Sequence, residues 1–276
     1  MRAKRSEIFA VNIVIIFILV LMIFPFYWMV SCTFKTQETL VSLEPKLIPP
    51  TFSIEFYKEL FDELNVARNL LNSVYLSVFT ALFVTLTGSL AAYSLAIYRY
   101  PGRILLGRFV LFLYMFPPIL AAIPLYLLFS QLKLINTHIA LLITYTAFNL
   151  PVVMWVLRSY FVGIPLELID AALIDGLSRV KALFKIIMPL AAPGIAAGAI
   201  MAFIGSWSEF LFANTFILSE HLKTLTVRVV DYSVREGINW GPILSISTII
   251  VLPTFFYAMF AQRFLVSGLT AGAVKG

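Results

Sequence analysis

The sequence predicts an all-α integral membrane protein with six transmembrane helices and both termini in the cytoplasm. Three observations carry that reading. Of the 276 residues, 61% are hydrophobic and 12% charged, too apolar a balance for one water-soluble core. The apolar residues fall into long runs, separated by polar or Pro- and Gly-containing stretches. The basic residues collect in alternate connecting stretches, as they do where charge sets membrane topology. That distribution accounts for the net charge of +6, and no basic run interleaved with aromatic residues points to nucleic acid. A single cysteine, Cys32, excludes an internal disulfide framework or a multi-cysteine metal site and is expected to fill space near a helix end.

The first span, about 8–30, has 23 residues without a charge, enough to cross about 30 Å of hydrocarbon at about 1.5 Å per residue. It follows Arg2, Lys4 and Arg5, as a signal peptide would. It is longer than a typical signal core and lacks a small-residue cleavage site, so an uncleaved helix kinked at Pro25 is expected. Residues 31–69 are acidic and interrupted by Pro45, Pro49 and Pro50, which suits an outer loop with a short helix over 54–64. The second span, about 70–98, carries Gly88, Ser89, Ala91 and Ala92, small residues that permit close helix contact in lipid. Arg99, Pro101, Gly102 and Arg103 then form a basic turn.

The third span, about 104–132, contains Pro117, Pro118 and Pro124 and must be kinked or broken where neighbours satisfy the freed carbonyls. A fourth, about 139–157, holds Asn149 and Pro151. The fifth and sixth, about 194–218 and 243–265, leave a long polar-patterned loop at 158–193 and a tail at 270–276 that is disordered by composition. The whole of 1–276 reads as one transmembrane domain. The N-terminal side of these spans holds twelve basic residues, from Arg2 to Lys275, against Glu7, Glu167, Asp170 and Asp175, whereas the opposite loops hold eight basic and nine acidic residues. By the positive-inside rule, the termini and the 158–193 loop are cytoplasmic.

That loop has the chemistry of two short helices. Pro165 suits a first helical turn, and Leu166, Ile169 and Leu173 recur at three and four residues. Glu167 and Asp170 lie near the helix start, where carboxylates complement the dipole, and Asp175-Gly176 ends it. Ser178 can cap a second helix in which Val180, Leu183, Phe184 and Ile187 form an apolar stripe, bounded by Pro189 and Pro193. The pattern alone fits either an amphipathic segment on the bilayer surface or a handle gripped from outside the membrane.

The spacing decides which family the loop resembles. Asp170-Ala171-Ala172, three residues, Gly176, nine residues, Ile186, one residue and Met188-Pro189 resembles the EAA motif of binding-protein-dependent ABC importer permeases, with Asp170 for the usual Glu and Met188 for the usual Leu. Asn72-Ser73, the 91–103 segment AAYSLAIYRYPGR, the 136–151 segment NTHIALLITYTAFNLP, the 206–213 segment SWSEFLFA, Asn239-Trp240-Gly241 and the ending GLTAGAVKG are similar to its carbohydrate-uptake branch. Within that branch the chain is similar to the second permease of maltose- and trehalose-type importers. The resemblance implies the type I importer permease fold in a prokaryotic cell membrane. It implies a heterodimer with a second permease, two copies of an ATPase that bind ATP and Mg²⁺, and an extracytoplasmic sugar-binding protein. The chain itself is expected to bind no cofactor and to catalyse nothing, having no phosphate-cradling GxxxxGK[ST] loop, no HExxH and only His138 and His221.

The same resemblance assigns the ATPase-docking residues as Glu167, Asp170, Ala171, Ala172, Asp175, Gly176 and Pro189. Asp170 would pair with a basic residue in the ATPase cleft; otherwise its carboxylate stabilises a helix start. For a sugar path the candidates are Trp207, Ser208, Glu209 and Asn214, with Asn149 from the fourth span, since an aromatic face plus hydrogen-bonding groups suits a pyranose ring. Glu209 is the one acid inside an expected span, so it faces a wet cavity or makes a polar packing contact. Gly272 and Lys275 would contact the ATPases through the tail, or else the tail is simply frayed. Other substrates within the importer class are glycerol phosphate or a polyol. A self-contained ion-coupled carrier is the rival class, and it usually shows several intramembrane charges or two related halves, neither of which is found here.

Overall fold

The structure is a computed structural model that describes residues 5–63, 65–235 and 239–273, and the described residues are all helix or connecting loop, with no strand. Helix α1, Arg5–Thr33, is apolar on every side, with Pro25 inside it. Two short helices follow. In α2, Gln37–Leu40, the Thr36 hydroxyl accepts the Thr39 N–H at 3.4 Å, and α3, Glu55–Lys58, runs on into a π-helical turn over Glu59–Glu63. The long α4, Val66–Ile97, has no proline to interrupt it.

Helix α5, Arg103–Tyr114, and α6, Pro118–Gln131, meet at 95°. Pro117 is extended, and Pro118 opens α6, where its missing N–H costs nothing, so the expected third span is two helices and a corner. Helix α7, His138–Val162, is capped by Thr137. Next come α8, Glu167–Ile174, α9, Arg179–Ala182, a π turn over Leu183–Ile187, and α10, Met188–Leu190. The segment Arg179–Leu190 meets α11, Ala192–Trp207, at 81°. The expected fifth span breaks again after Trp207, and α12, Leu211–Phe216, restarts it. Finally α13 covers Leu225–Arg235 and α14 covers Trp240–Ala273. The residues Thr270–Ala273, expected to be disordered, belong to α14, in keeping with the helix propensity of Ala271 and Ala273. Among the described residues four helices are long and apolar enough to cross a membrane, or up to six spans if each bent pair counts as one.

The chain divides into two compact units. One combines Met1–Val66 with Val229–Val251. In it Phe34 stacks on Phe52 with centroids 4.6 Å apart, and the Tyr57 hydroxyl donates to Thr33 at 3.1 Å. Lys35 is buried with its ammonium 3.9 Å from the Trp28 ring centroid, a cation–π contact in place of a carboxylate, and Cys32 is buried beside it.

The other unit combines Ala67–Arg228 with Leu252–Gly276 and holds two apolar clusters. One gathers Tyr93, Leu157, Phe161, Ile169, Leu183 and Ile187, so it ties the ends of α4 and α7 to the 158–193 loop. The second gathers Leu76, Leu141, Tyr145, Phe212 and Phe216. Between α7 and α11 the backbones approach closely because α11 presents glycine. A Cβ on Gly194 would overlap the Tyr160 ring, one on Gly198 would sit 2.9 Å from Val153 Cγ1, and one on Gly205 would collide with Asn149 Oδ1. Of the small residues expected to allow close contact in α4, Ser89 and Ala92 are fully buried, and a Cβ on Gly88 would lie 3.6 Å from the backbone nitrogen of Met154 in α7.

Candidate functional site

Residues 163–191 leave α7 and return to α11 as a compact loop. Helix α8 ends in a Schellman arrangement: the Gly176 N–H donates to the Leu173 carbonyl at 3.1 Å and the Leu177 N–H to the Ala172 carbonyl at 3.0 Å. Gly176 has φ +81°, a conformation that Gly takes without penalty. Ser178 then caps α9 by accepting the Lys181 N–H at 3.3 Å. Ile169, Ala172, Ala182, Leu183 and Ile187 turn inward and are buried. Of the stripe expected along the second helix, Leu183 and Ile187 are inside but Val180 and Phe184 are exposed. The π turn explains this, because its extra residue per turn rotates the face away from a three-and-four spacing.

The outer face carries the residues of interest. Glu167, Asp170, Ala171, Asp175, Gly176 and Pro189 are all exposed, whereas Ala172 packs inward. They share that surface with exposed apolar side chains, Ile174 at 86% and Val180 at 65% exposure among them. Carboxylates and uncovered aliphatics thus share one exposed face of the capped loop. Beneath α8 lies a cavity of about 190 Å³ lined by Tyr93, Tyr98, Ile169, Asp170 and Arg179, and the Arg179 guanidinium stands 5.5 Å from the Tyr98 ring centroid. Asp170 thus sits on the rim, where α8 meets the end of α4.

The expected sugar-path residues are placed differently from one another. Ser208 and Asn214 are exposed. Trp207 is 3% exposed and stacks on Phe203 with centroids 5.7 Å apart. Asn149 donates to the Tyr145 carbonyl at 2.8 Å and lies against Gly205. Glu209 is at the break between α11 and α12, and its two carboxylate oxygens accept the N–H groups of Phe212 at 2.7 Å and Ala213 at 3.1 Å. It works there as a side-chain cap for α12, while its own carbonyl accepts the Thr226 hydroxyl at 2.6 Å. No pattern of helix breakers marks 208–210, so this cap was not legible beforehand. Gly272 falls within α14, and Lys275 lies outside the described residues. Among the described residues no group of three or more His, Cys, Asp or Glu side chains could hold a metal ion.

Residues 84–266 match the model of the binding-protein-dependent transport system inner membrane component family. The chain belongs to that family. It is therefore a membrane permease of the ABC transporter class, and relatives match over nearly its whole length. It is 36% identical over 262 residues, 93% of each chain, to the trehalose/maltose transport system permease protein MalG of Thermococcus litoralis. It is 33% identical over 255 residues, 92% of this chain and 89% of the relative, to the sulfoquinovosyl glycerol transport system permease protein SmoH of Agrobacterium fabrum. Among solved structures, a chain of a bacterial ABC transporter involved in the import of the acidic polysaccharide alginate superposes with a TM-score of 0.81 at 22% identity, covering 95% of this chain and 99% of that one. The permease fold is thus shared from end to end.

Proposed function

We propose that this chain is one of two permease subunits of an ATP-driven sugar importer, of the oligosaccharide or maltose/trehalose class. It forms half of the translocation path and couples to a separate ATPase through the 158–193 loop. The single observation that carries the reading is the full-length match to permeases whose names specify sugars and glycosides. Charge distribution supports a cytoplasmic loop and cytoplasmic termini, which puts α8 on the side where ATP is.

In this reading the exposed acidic and aliphatic face of α8 docks into a cleft on the ATPase, with Asp170 paired to a basic side chain there. The apolar cluster that buries Ile169 and Leu183 with Tyr93 and Phe161 passes a movement of the docked helix to α4 and α7. Alternating access follows as the broken spans rearrange. The chain supplies no phosphate-binding loop of its own, so hydrolysis of ATP with Mg²⁺ belongs to the partner, and an external binding protein delivers the sugar.

The test is to purify the tagged chain gently from its membrane and identify what accompanies it. An ATPase and a second permease are expected, with ATPase activity stimulated by the binding protein loaded with sugar. Asp170→Asn is expected to leave the complex assembled while sugar uptake per ATP hydrolysed falls. Recovery of the chain alone, with transport in liposomes that needs no ATP, would overturn the proposal.

A further inference from the structure

Two helices of one unit, α5 and α7, bring three arginines together beside α4. Arg103 is the first residue of α5 and Arg108 lies on the same helix one turn further on, while Arg158 comes from the last turns of α7. With Leu95 of α4, Gly107 and Trp155 these arginines line a pocket of about 270 Å³, which adjoins a second of about 370 Å³ along the start of α5 that again includes Arg103 and Arg108. Gly107 is buried on the floor, where its missing side chain leaves Leu95 and Trp155 as the nearest walls.

The arrangement is electrostatically incomplete. Cations at a helix N-terminus oppose the dipole, and α5 starts with Arg103 and has no acidic residue in its first turn. Among the described residues none of the three guanidinium groups has a carboxylate within ion-pair distance. Arg103 donates to the Tyr98 carbonyl at 2.8 Å, and Arg158 stands 5.2 Å over the Trp155 ring, so two of them are held in place without being neutralised. An anion would offset all three.

What surrounds the pocket decides which anion. Ile104, Leu105 and Phe109 are 61%, 73% and 55% exposed, and Trp155 is 38% exposed, so the arginines open onto bare apolar surface of a membrane protein. Arg and Trp over such a surface are what the boundary between headgroups and acyl chains selects. We propose that the pocket of Arg103, Arg108 and Arg158 binds the phosphodiester headgroup of an anionic phospholipid, whose acyl chains lie against Ile104, Leu105 and Phe109. Basic pockets between transmembrane helices take anionic headgroups in this way. The site rests on the chain's membrane location and not on its substrate or its ATPase.

The experiment is native mass spectrometry of the delipidated full chain, with whatever subunits accompany it, titrated with phosphatidylglycerol or with phosphatidylcholine of the same acyl chains. Wild-type protein is expected to retain phosphatidylglycerol with at least about tenfold preference, and inorganic phosphate at low millimolar concentration is expected not to displace it. Arg108→Gln, at an exposed position, should weaken retention about fivefold, and the triple Gln variant should bring the two lipids to parity. Arg179→Gln, outside the pocket, should leave the preference between the two lipids unchanged. Equal retention of the two lipids by the wild type would overturn the site, and so would a loss in Arg179→Gln as large as that in Arg108→Gln. Ready displacement by inorganic phosphate would show an anion site that is not a lipid site. If the triple variant does not fold, the single Arg108→Gln variant decides.

Discussion

The ring of Tyr160 occupies the space that a Cβ on residue 194 would need. Tyr160 stands in the last turn of α7 and Gly194 in the first turn of α11, so the two residues clamp the neck from which residues 163–191 project. The proposed docking role would need a stiff root, and close backbone contact through glycine is how helices in lipid achieve one.

Gly194→Val should therefore force α7 and α11 apart. Overpacking of this kind costs about 1–3 kcal/mol, which would appear as a lower apparent unfolding temperature of the purified protein. Gly176→Val is the opposite case. No atom lies within 4 Å of a Cβ there, yet φ is +81°, so the strain is in the backbone and the α8 cap opens. It should lower the unfolding temperature through about 1–2 kcal/mol of left-handed strain and also reduce the ATPase recovered per folded chain, and Gly176→Asn, which tolerates that φ better, should do less of both. Identical recovery with all three residues would remove the cap from the docking argument.

How much of this was legible beforehand varies by residue. Asp175-Gly176 announced a helix end, Ser178 a cap, and Pro117-Pro118 a break, because each acts within three or four residues of itself and needs no partner. The close approach of α11 to α7 at Gly194 and Gly198 was not read from the sequence, because it depends on the α7 residues brought opposite by the fold. The π turn over Leu183–Ile187 has no local signature, so the exposed face of the second loop helix could not be read from periodicity. Glu209 shows the limit most clearly. Its type and expected depth suggested a wet path, whereas its bonding is set by a helix restart that only the structure reveals.

That bonding makes Glu209 testable in both roles. If its chief work is to hold the start of α12, Glu209→Ala should cost about 1–2 kcal/mol, as the loss of a side-chain cap does. Glu209→Gln keeps one acceptor oxygen and should fall between the two. The readout is thermal unfolding alongside sugar uptake, with KM and maximal rate separated. A cap predicts that uptake falls in proportion to folded protein with KM unchanged. A raised KM in a fully stable Glu209→Gln protein would restore the residue to the sugar path.

Asn136 offers a sharper separation of backbone from side chain. It joins the α6–α7 connection to the segment after α12: its N–H donates to the Phe216 carbonyl at 2.8 Å, and its Oδ1 accepts the N–H groups of Leu218 at 3.0 Å and Ser219 at 2.8 Å. Its Nδ2 also donates to the Ser219 hydroxyl at 2.7 Å. The residue does this at φ +62°, where Asn is among the few side chains that sit comfortably. Asn136→Gly keeps the backbone conformation and loses the three side-chain bonds, whereas Asn136→Leu loses the bonds and adds about 1–2 kcal/mol of left-handed strain. Asn136→Asp keeps both accepted bonds and loses only the donation to Ser219. Stability should then run Asn, Asp, Gly, Leu in falling order, measured as unfolding temperatures in one detergent. A Gly variant less stable than the Leu variant would mean that side-chain volume rather than backbone geometry governs this junction.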